Sequence, residues 1–436
     1  MARPTRHKRR HKKQPQPATV EVTAEIEALG SAGDGVASAN GRAVHVPYVL
    51  PGETVRLSVC GSKADLLEVL TPAPARISPV CAHFGPAGDQ CGGCSLQHLS
   101  TDTYTDWKKE TVMRALAHVG LEKIDVLAPL LSPLRSRRRA SFSVQETGGD
   151  ILCGFLQGRS HRLIDLQECH ILSPALMAGR EEIITILEPV FRERPGLRLS
   201  AHVTEASNGL DVELTGDLQE EDLSLHEREQ IPLLLEATSI TRLTINGAPF
   251  WQGEQPVVIF AGTRVPLPPR AFLQATKAGE ATLQKLVGVG IGGARKVADL
   301  FAGCGTFTFA AVQGATVHAV ESDEAAINAI NQARRLSGQA VTTRARDLFR
   351  QPLMPAELNR FDAVVLDPPR AGAEAQAQQL AESNVPVVVS VSCNPKTFAR
   401  DAATLMAGGY RLSEVQPVDQ FMFSPHIEVV GIFTRE

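Results

Sequence analysis

A hydrophobic strand runs into a glycine-rich turn and then a helix in KVADLFAGCGTFTFAA, residues 296–311, and no other segment limits the possible folds as much. Gly303 and Gly305 allow the backbone to turn tightly and to approach a ligand closely. Thr308 stands where a dinucleotide-binding loop would have its third glycine, so that phosphate fingerprint is incomplete. Further strands follow in order. TVHAVE ends at Glu321, 18 residues past Gly303, where a carboxylate can accept from ribose hydroxyls. A third strand leads to Asp347, FDAVVLD leads to Asp367, and VPVVVSVSC ends at Cys393. Polar groups at the carboxyl ends of successive strands mark the ligand edge of an open α/β sheet. Residues 256–436 are therefore expected to form a mostly parallel, doubly wound sheet.

The rest of the chain divides by composition. Residues 1–17 hold seven Lys and Arg, no acid and no hydrophobic period, and read as a disordered basic tail. The net charge of −4 thus hides −11 on the remainder. Residues 18–78 alternate in short strands separated by Gly-rich turns, which fits a five-stranded β-barrel of the oligonucleotide-binding kind. Residues 79–255 read as a central mixed α/β domain. It opens with a turn-rich stretch, then a helix over 101–119 capped by Thr101 or Asp102, which can pack on the C-terminal domain, and it holds a second helix near 175–192. No apolar run reaches about 18 residues, so no membrane span is expected, and no secretory signal is present.

Eight cysteines in 436 residues are too few for a disulfide scaffold, and without an export signal a reducing compartment, the cytoplasm, is expected. Cys81, Cys91 and Cys94 lie within 14 residues, and Cys169 follows in RLIDLQECHIL. Four thiolates can ligate zinc or an iron–sulfur cluster. Zinc sites favour two CxxC motifs, whereas only one, Cys91–Cys94, is present here. Cys60, Cys153 and Cys304 read as packing residues. Arg135, Arg137, Arg138 and Arg139, with Arg159, His161 and Arg162, are either a solvated face or a phosphate path.

The ordered strand ends resemble those of class I S-adenosylmethionine (SAM) methyltransferases. Enzymes that methylate exocyclic amines carry an aromatic after two prolines, whereas here the tetrapeptide is Asp367-Pro368-Pro369-Arg370. A carbon acceptor such as C5 of uracil is a poor nucleophile until a thiolate adds at C6. Cys393, at the end of an apolar strand before Asn394-Pro395, suits that role. Glu428, in an otherwise apolar stretch beside His426, suits the base that must then remove the C5 proton.

These residues resemble the RNA uracil-C5 methyltransferases over residues 18–436. Cys393 in SCNPKTFARD matches the family nucleophile, Glu428 in PHIEVV its base, and DPPR with Gly372 its substrate loop. The resemblance implies that Gln274 in RAFLQAT, Phe301, Thr306, Glu321, Asp347 and Asp367 bind SAM, with Asp367 contacting the pyrimidine or the cofactor. Thr306 and Thr276 stand where asparagine is commoner in the family. It further implies a TRAM-type barrel and a [4Fe–4S] cluster on Cys81, Cys91, Cys94 and Cys169, with nine residues between Cys81 and Cys91 where the family usually has five. The partner implied is RNA, 23S rRNA ahead of tRNA, bound by a monomer. The rival readings are a nitrogen methyltransferase and a non-catalytic RNA-binding protein.

Overall fold

The computed structural model describes residues 19–39 and 41–435; the basic segment 1–17 lies outside them. The chain divides into two compact units between Arg76 and Ile77. In the first, β1 (Val20–Leu29), β2 (Gly35–Ala39), β3 (Arg42–Val46), β4 (Thr54–Cys60) and β5 (Lys63–Thr71) close into a barrel in the order β1-β2-β3-β5-β4. Alternate residues, among them Ile26, Val44, Val55 and Leu57, fill its interior, as the period of two requires. Glu53 is fully buried and accepts from the backbone N–H of Leu50 and from Arg76, so its charge is paired. Cys60 departs from its expected packing role: it ends β4 facing solvent.

The second unit carries two large sheets. After α1 (Thr101–Ala117) come the two-residue strands β6 (Asp125–Val126) and β7 (Leu130–Leu131). Then follow β8 (Arg139–Thr147), β9 (Asp150–Leu156), β10 (Leu163–Asp165), α2 (Pro174–Glu193), β11 (Arg198–Glu205), β12 (Leu210–Gly216), α3 (Leu225–Leu235), β13 (Ile240–Ile245) and β14 (Ala248–Gln252). Their strands form a sheet ordered β10-β9-β8-β11-β12-β13-β14, with the apolar face of α2 (Ile183, Ile186, Leu187, Val190) against it. The cap of α1 is Ser100, whose side chain accepts from the Thr103 N–H, one residue before the expected cap.

A hairpin of β15 (Val257–Phe260) and β16 (Thr263–Pro266) precedes the last sheet. Its elements are α4 (Lys277–Ile291), β17 (Lys296–Leu300), α5 (Thr308–Ala311), β18 (Thr316–Glu321), α6 (Glu324–Ser337), β19 (Val341–Ala345), α7 (Pro355–Leu358), β20 (Ala363–Leu366), α8 (Glu374–Ala381), β21 (Val387–Ser392), α9 (Pro395–Ala407), β22 (Glu414–Asp419) and β23 (Glu428–Thr434). The order is β19-β18-β17-β20-β21-β23-β22-β6, with β7 also on β22. β17 to β21 run parallel, and β23 inserts antiparallel between β21 and β22. Helices cover both faces, so these strands are nearly continuous in Val, Ala and Leu. The edge strands at 125–131 come from the segment ahead of the central sheet, and α1 packs beside them against α9 and β22. Among the described residues no helix is long and apolar enough to cross a membrane.

Candidate functional site

Gln274, Phe301, Thr306, Glu321, Asp347, Asp367, Cys393 and Glu428 all line one cavity of about 450 Å³ at the carboxyl ends of the parallel strands. The glycine loop makes its floor. Gly305 has φ +98°, and a Cβ there would stand 2.7 Å from the Phe309 ring, so the helix start closes down only on glycine. Phe301 is itself held at φ +63°, a conformation unusual for a side-chain-bearing residue, at the point where β17 turns into the loop. Its ring lies 5.3 Å from that of Phe349, giving the cavity an aromatic wall.

Glu321 is fixed at both oxygens. Oε2 accepts from the Gly303 N–H at 3.0 Å, and Oε1 accepts from the N–H groups of Ser322 and Asp323. Asp347 accepts from the N–H of Phe349 at 2.9 Å. Rigid carboxylates at the ends of the second and third strands suit ligand hydroxyl and amino groups.

The pairing of β21 with β23 places the two most reactive groups. Their register runs to Ser392 opposite Val429; Cys393 directly follows the one strand and Glu428 opens the other, so both lie at the same end of the strand pair. Burial pushes the Cys393 thiol up to about 11, reinforced by the Glu428 and Asp367 carboxylates and opposed by Arg370. Burial likewise raises Glu428 to about 7, while the Gln420 amide and Arg139 pull it down. Asp367 is driven well above the usual carboxylate range by burial and by Glu428 and Asp299. The site is thus a part-buried cavity holding a thiol raised to about 11, a carboxyl group raised to about 7 and a second carboxyl group shifted upward by burial.

The sequence reading missed Gln420, which joins Glu428 to Gln274, and the exposed Phe272, on which the Arg139 guanidinium stacks at 4.3 Å. It also treated the arginine run as one feature, and the fold divides it. Arg138 is buried, pairs with Glu280 and donates to the Gln274 carbonyl, so it builds the site wall and no phosphate path. Cys304 and Cys153 are buried, as packing residues should be.

Cys81, Cys91, Cys94 and Cys169 line a second cavity, of about 260 Å³, between the 79–100 loop and the central sheet. Burial and the neighbouring thiols raise Cys81 and Cys91 and push Cys94 up to about 12. The four extra residues Pro86–Asp89 fold back rather than hang outward. Asp89 pairs with His83 at 2.8 Å, and His83 Nε2 accepts from the Gln167 N–H beside Cys169. Among the described residues no group of three or more His, Cys, Asp or Glu side chains is arranged to hold a metal ion.

Comparison with known proteins agrees with this geometry. A family model described as tRNA (uracil-5-)-methyltransferase matches residues 294–436. A protein of Caulobacter vibrioides named as an uncharacterized RNA methyltransferase is 40% identical, over 94% of this chain and 99% of its own. The 23S rRNA (uracil(1939)-C(5))-methyltransferase RlmD of Halomonas elongata is 33% identical, over 95% of this chain and 91% of its own. Among solved structures, a Pyrococcus abyssi tRNA (uracil-54, C5)-methyltransferase in complex with S-adenosyl-L-homocysteine has the same fold. Its TM-score is 0.74 at 21% identity, covering 94% of this chain and 99% of that one.

Proposed function

Since this chain belongs to the RNA (uracil-C5)-methyltransferase family, we propose that it forms 5-methyluridine in 23S rRNA through a covalent enzyme–RNA adduct. The observation that carries the covalent route is that Cys393, just after β21, and Glu428, at the start of β23, line the same cavity close enough for the Glu428 charge to act on the thiol. The rRNA target is supported by the 33% identical relative.

SAM, when bound, supplies an electrophilic methyl group. Glu321, Asp347, Thr306 and the Phe301–Phe349 wall would hold it, being the polar and aromatic groups a nucleoside with an amino-acid tail needs. The Cys393 sulfur adds to C6 of a uridine flipped out of its stack, and its proton passes to water as the S–C bond forms, leaving Glu428 ionised for the later step. The bond to C6 moves the electron pair onto C5, which takes the methyl group. Glu428, as carboxylate, then removes the C5 proton. The C5–C6 double bond re-forms and the thiolate leaves. Asp367, whose protonated form burial favours, can donate a hydrogen bond to the pyrimidine carbonyl while the charge develops. Mapping of 5-methyluridine by mass spectrometry in 23S rRNA and tRNA from a deletion strain tests the target. Loss from rRNA is expected, and loss from tRNA alone would overturn it.

Cys81, Cys91, Cys94 and Cys169 would hold a [4Fe–4S] cluster. Four thiols spread around a cavity suit a polynuclear cluster better than a single tetrahedral ion, and as thiolates they need a cationic group to coexist in so buried a place. Anaerobically purified protein is expected to contain about four iron and four sulfide per chain, and Cys94→Ser to lose both. Stoichiometric zinc in their place would refute the assignment. The protein is further proposed to act as a monomer in the cytoplasm, a reducing compartment that suits a chain of eight cysteines.

A further inference from the structure

Gln420 follows β22 and is 2% exposed. Its amide is oriented by its partners. Oε1 accepts from the Ala275 N–H at 2.7 Å, so Nε2 must face the acceptors Gln274 Oε1, at 2.6 Å, and Glu428 Oε1, at 3.1 Å. Gln274 is oriented in turn: with Oε1 accepting, its Nε2 donates to Asp367 Oδ2 at 3.1 Å. A relay of two amides therefore ends in one donated hydrogen bond to each carboxyl group of the reaction site.

The backbone that carries Gln420 is anchored from outside the catalytic sheet. Asp419 is fully buried against α1, where the Tyr104 hydroxyl donates to it and Lys108 Nζ stands 3.2 Å from Oδ1. Tyr104 Oη also accepts from the Phe423 N–H, and Lys108 donates to the His426 carbonyl, two residues before Glu428. Ahead of α1, the N–H groups of Ser95 and Leu96 donate to the Phe423 carbonyl. The 419–428 segment is thus tied down on both sides of its turn by side chains that touch no reacting atom.

We propose that Gln420 is the positioning residue for the Glu428 base, and that the buried Tyr104–Asp419–Lys108 anchor holds it in register with Gln274 and Asp367. The inference rests on the covalent reading, because it concerns the step in which the adduct resolves. Besides Gln420, the groups facing Glu428 are Cys393 just after β21, Asp367 just after β20 and Arg139 on β8. A donor to the ionised carboxylate favours the form that acts as base, so its loss moves the acid limb of the reaction to higher pH.

Gln420→Met keeps the length of the side chain and removes every hydrogen bond it makes. In the full-length enzyme with an RNA substrate, Gln420→Met is expected to slow adduct resolution by about tenfold. Covalent RNA–protein product should build up on denaturing gels, and the acid limb should rise, with RNA KM unchanged. Tyr104→Phe keeps the ring and removes the anchor's hydroxyl; it should move the limb the same way by less, and it carries the test alone if Gln420→Met fails to fold. A lowered melting temperature with the wild-type limb, or a loss confined to KM, overturns the proposal. If Cys393→Ala still makes product, the covalent reading itself falls. If Cys393→Ala is inactive while Gln420→Met behaves as wild type, this inference alone falls.

Discussion

Cys393→Ala is expected to stop 5-methyluridine formation by at least about 10⁴-fold, the scale on which loss of a covalent nucleophile acts, and to remove every trace of the covalent RNA adduct. The size of the effect follows from the acceptor. C5 of uracil gains nucleophilic character only when C6 is saturated, and Cys393 shares the cavity with Glu428 at the same end of the β21–β23 pair. Cys304 lines the same cavity but is buried inside the glycine loop with its thiol pushed up to about 12, so it offers no bypass. Cys393 is itself raised to about 11, so at neutral pH the resting group is the thiol and its proton must leave during attack. Adduct formation should therefore depend on the substrate's arrival, with no reactive thiolate standing in the free enzyme. Alkylation by iodoacetamide should be slow at pH 7 and accelerate with rising pH. Nucleoside mass spectrometry after incubation with SAM reads the product, and a denaturing gel reads the adduct. Nitrogen methylation, the rival chemistry, needs no thiol and would survive the substitution.

The features that could be read from the sequence are those whose determinants are local. A strand, a turn and a helix are encoded within 16 residues at 296–311, and successive strand ends repeat that pattern, so a doubly wound sheet and its ligand edge follow. Cys393 and Glu428 could be found because each interrupts an apolar strand. What escaped depends on contacts between distant segments, which leave no period. Gln420 sits 146 residues from Gln274, and its function comes from the Ala275 N–H that orients its amide. Arg138 looks like its neighbours in sequence, yet it faces Glu280, 142 residues away, and becomes wall while Arg139 stacks on Phe272. Residues 125–131 are too short to register as strands, and they exist because β22 offers an open edge. Lys108 reads as one more charge on a helix until the fold buries it against Asp419.

Glu428→Gln should separate the two halves of the reaction. The amide keeps the volume and can still accept from Gln420, so Cys393 attack and methyl transfer proceed. The C5 proton then has no base, and turnover drops about 10²–10⁴-fold. The methylated adduct accumulates, visible as a covalent RNA–protein band that carries label from the SAM methyl group. A variant with no adduct would show that Glu428 acts before the proton removal assigned to it. The same substitution should also change stability, with a sign fixed by burial. Glu428 titrates near 7 in the fold against an ordinary value of 4.5, so the folded protein favours its protonated form. The stability this group contributes is fully present below about pH 4.5 and is lost as pH rises through about 7. Above that, the native enzyme carries a buried carboxylate at a cost on the order of 3 kcal/mol. Glu428→Gln removes that cost, so its denaturant midpoint should match the wild type's at pH 4.5 and exceed it at pH 8. A base held by burial near neutrality makes the native chain less stable at the pH where it works, and the variant that cannot finish the reaction should be the more stable protein.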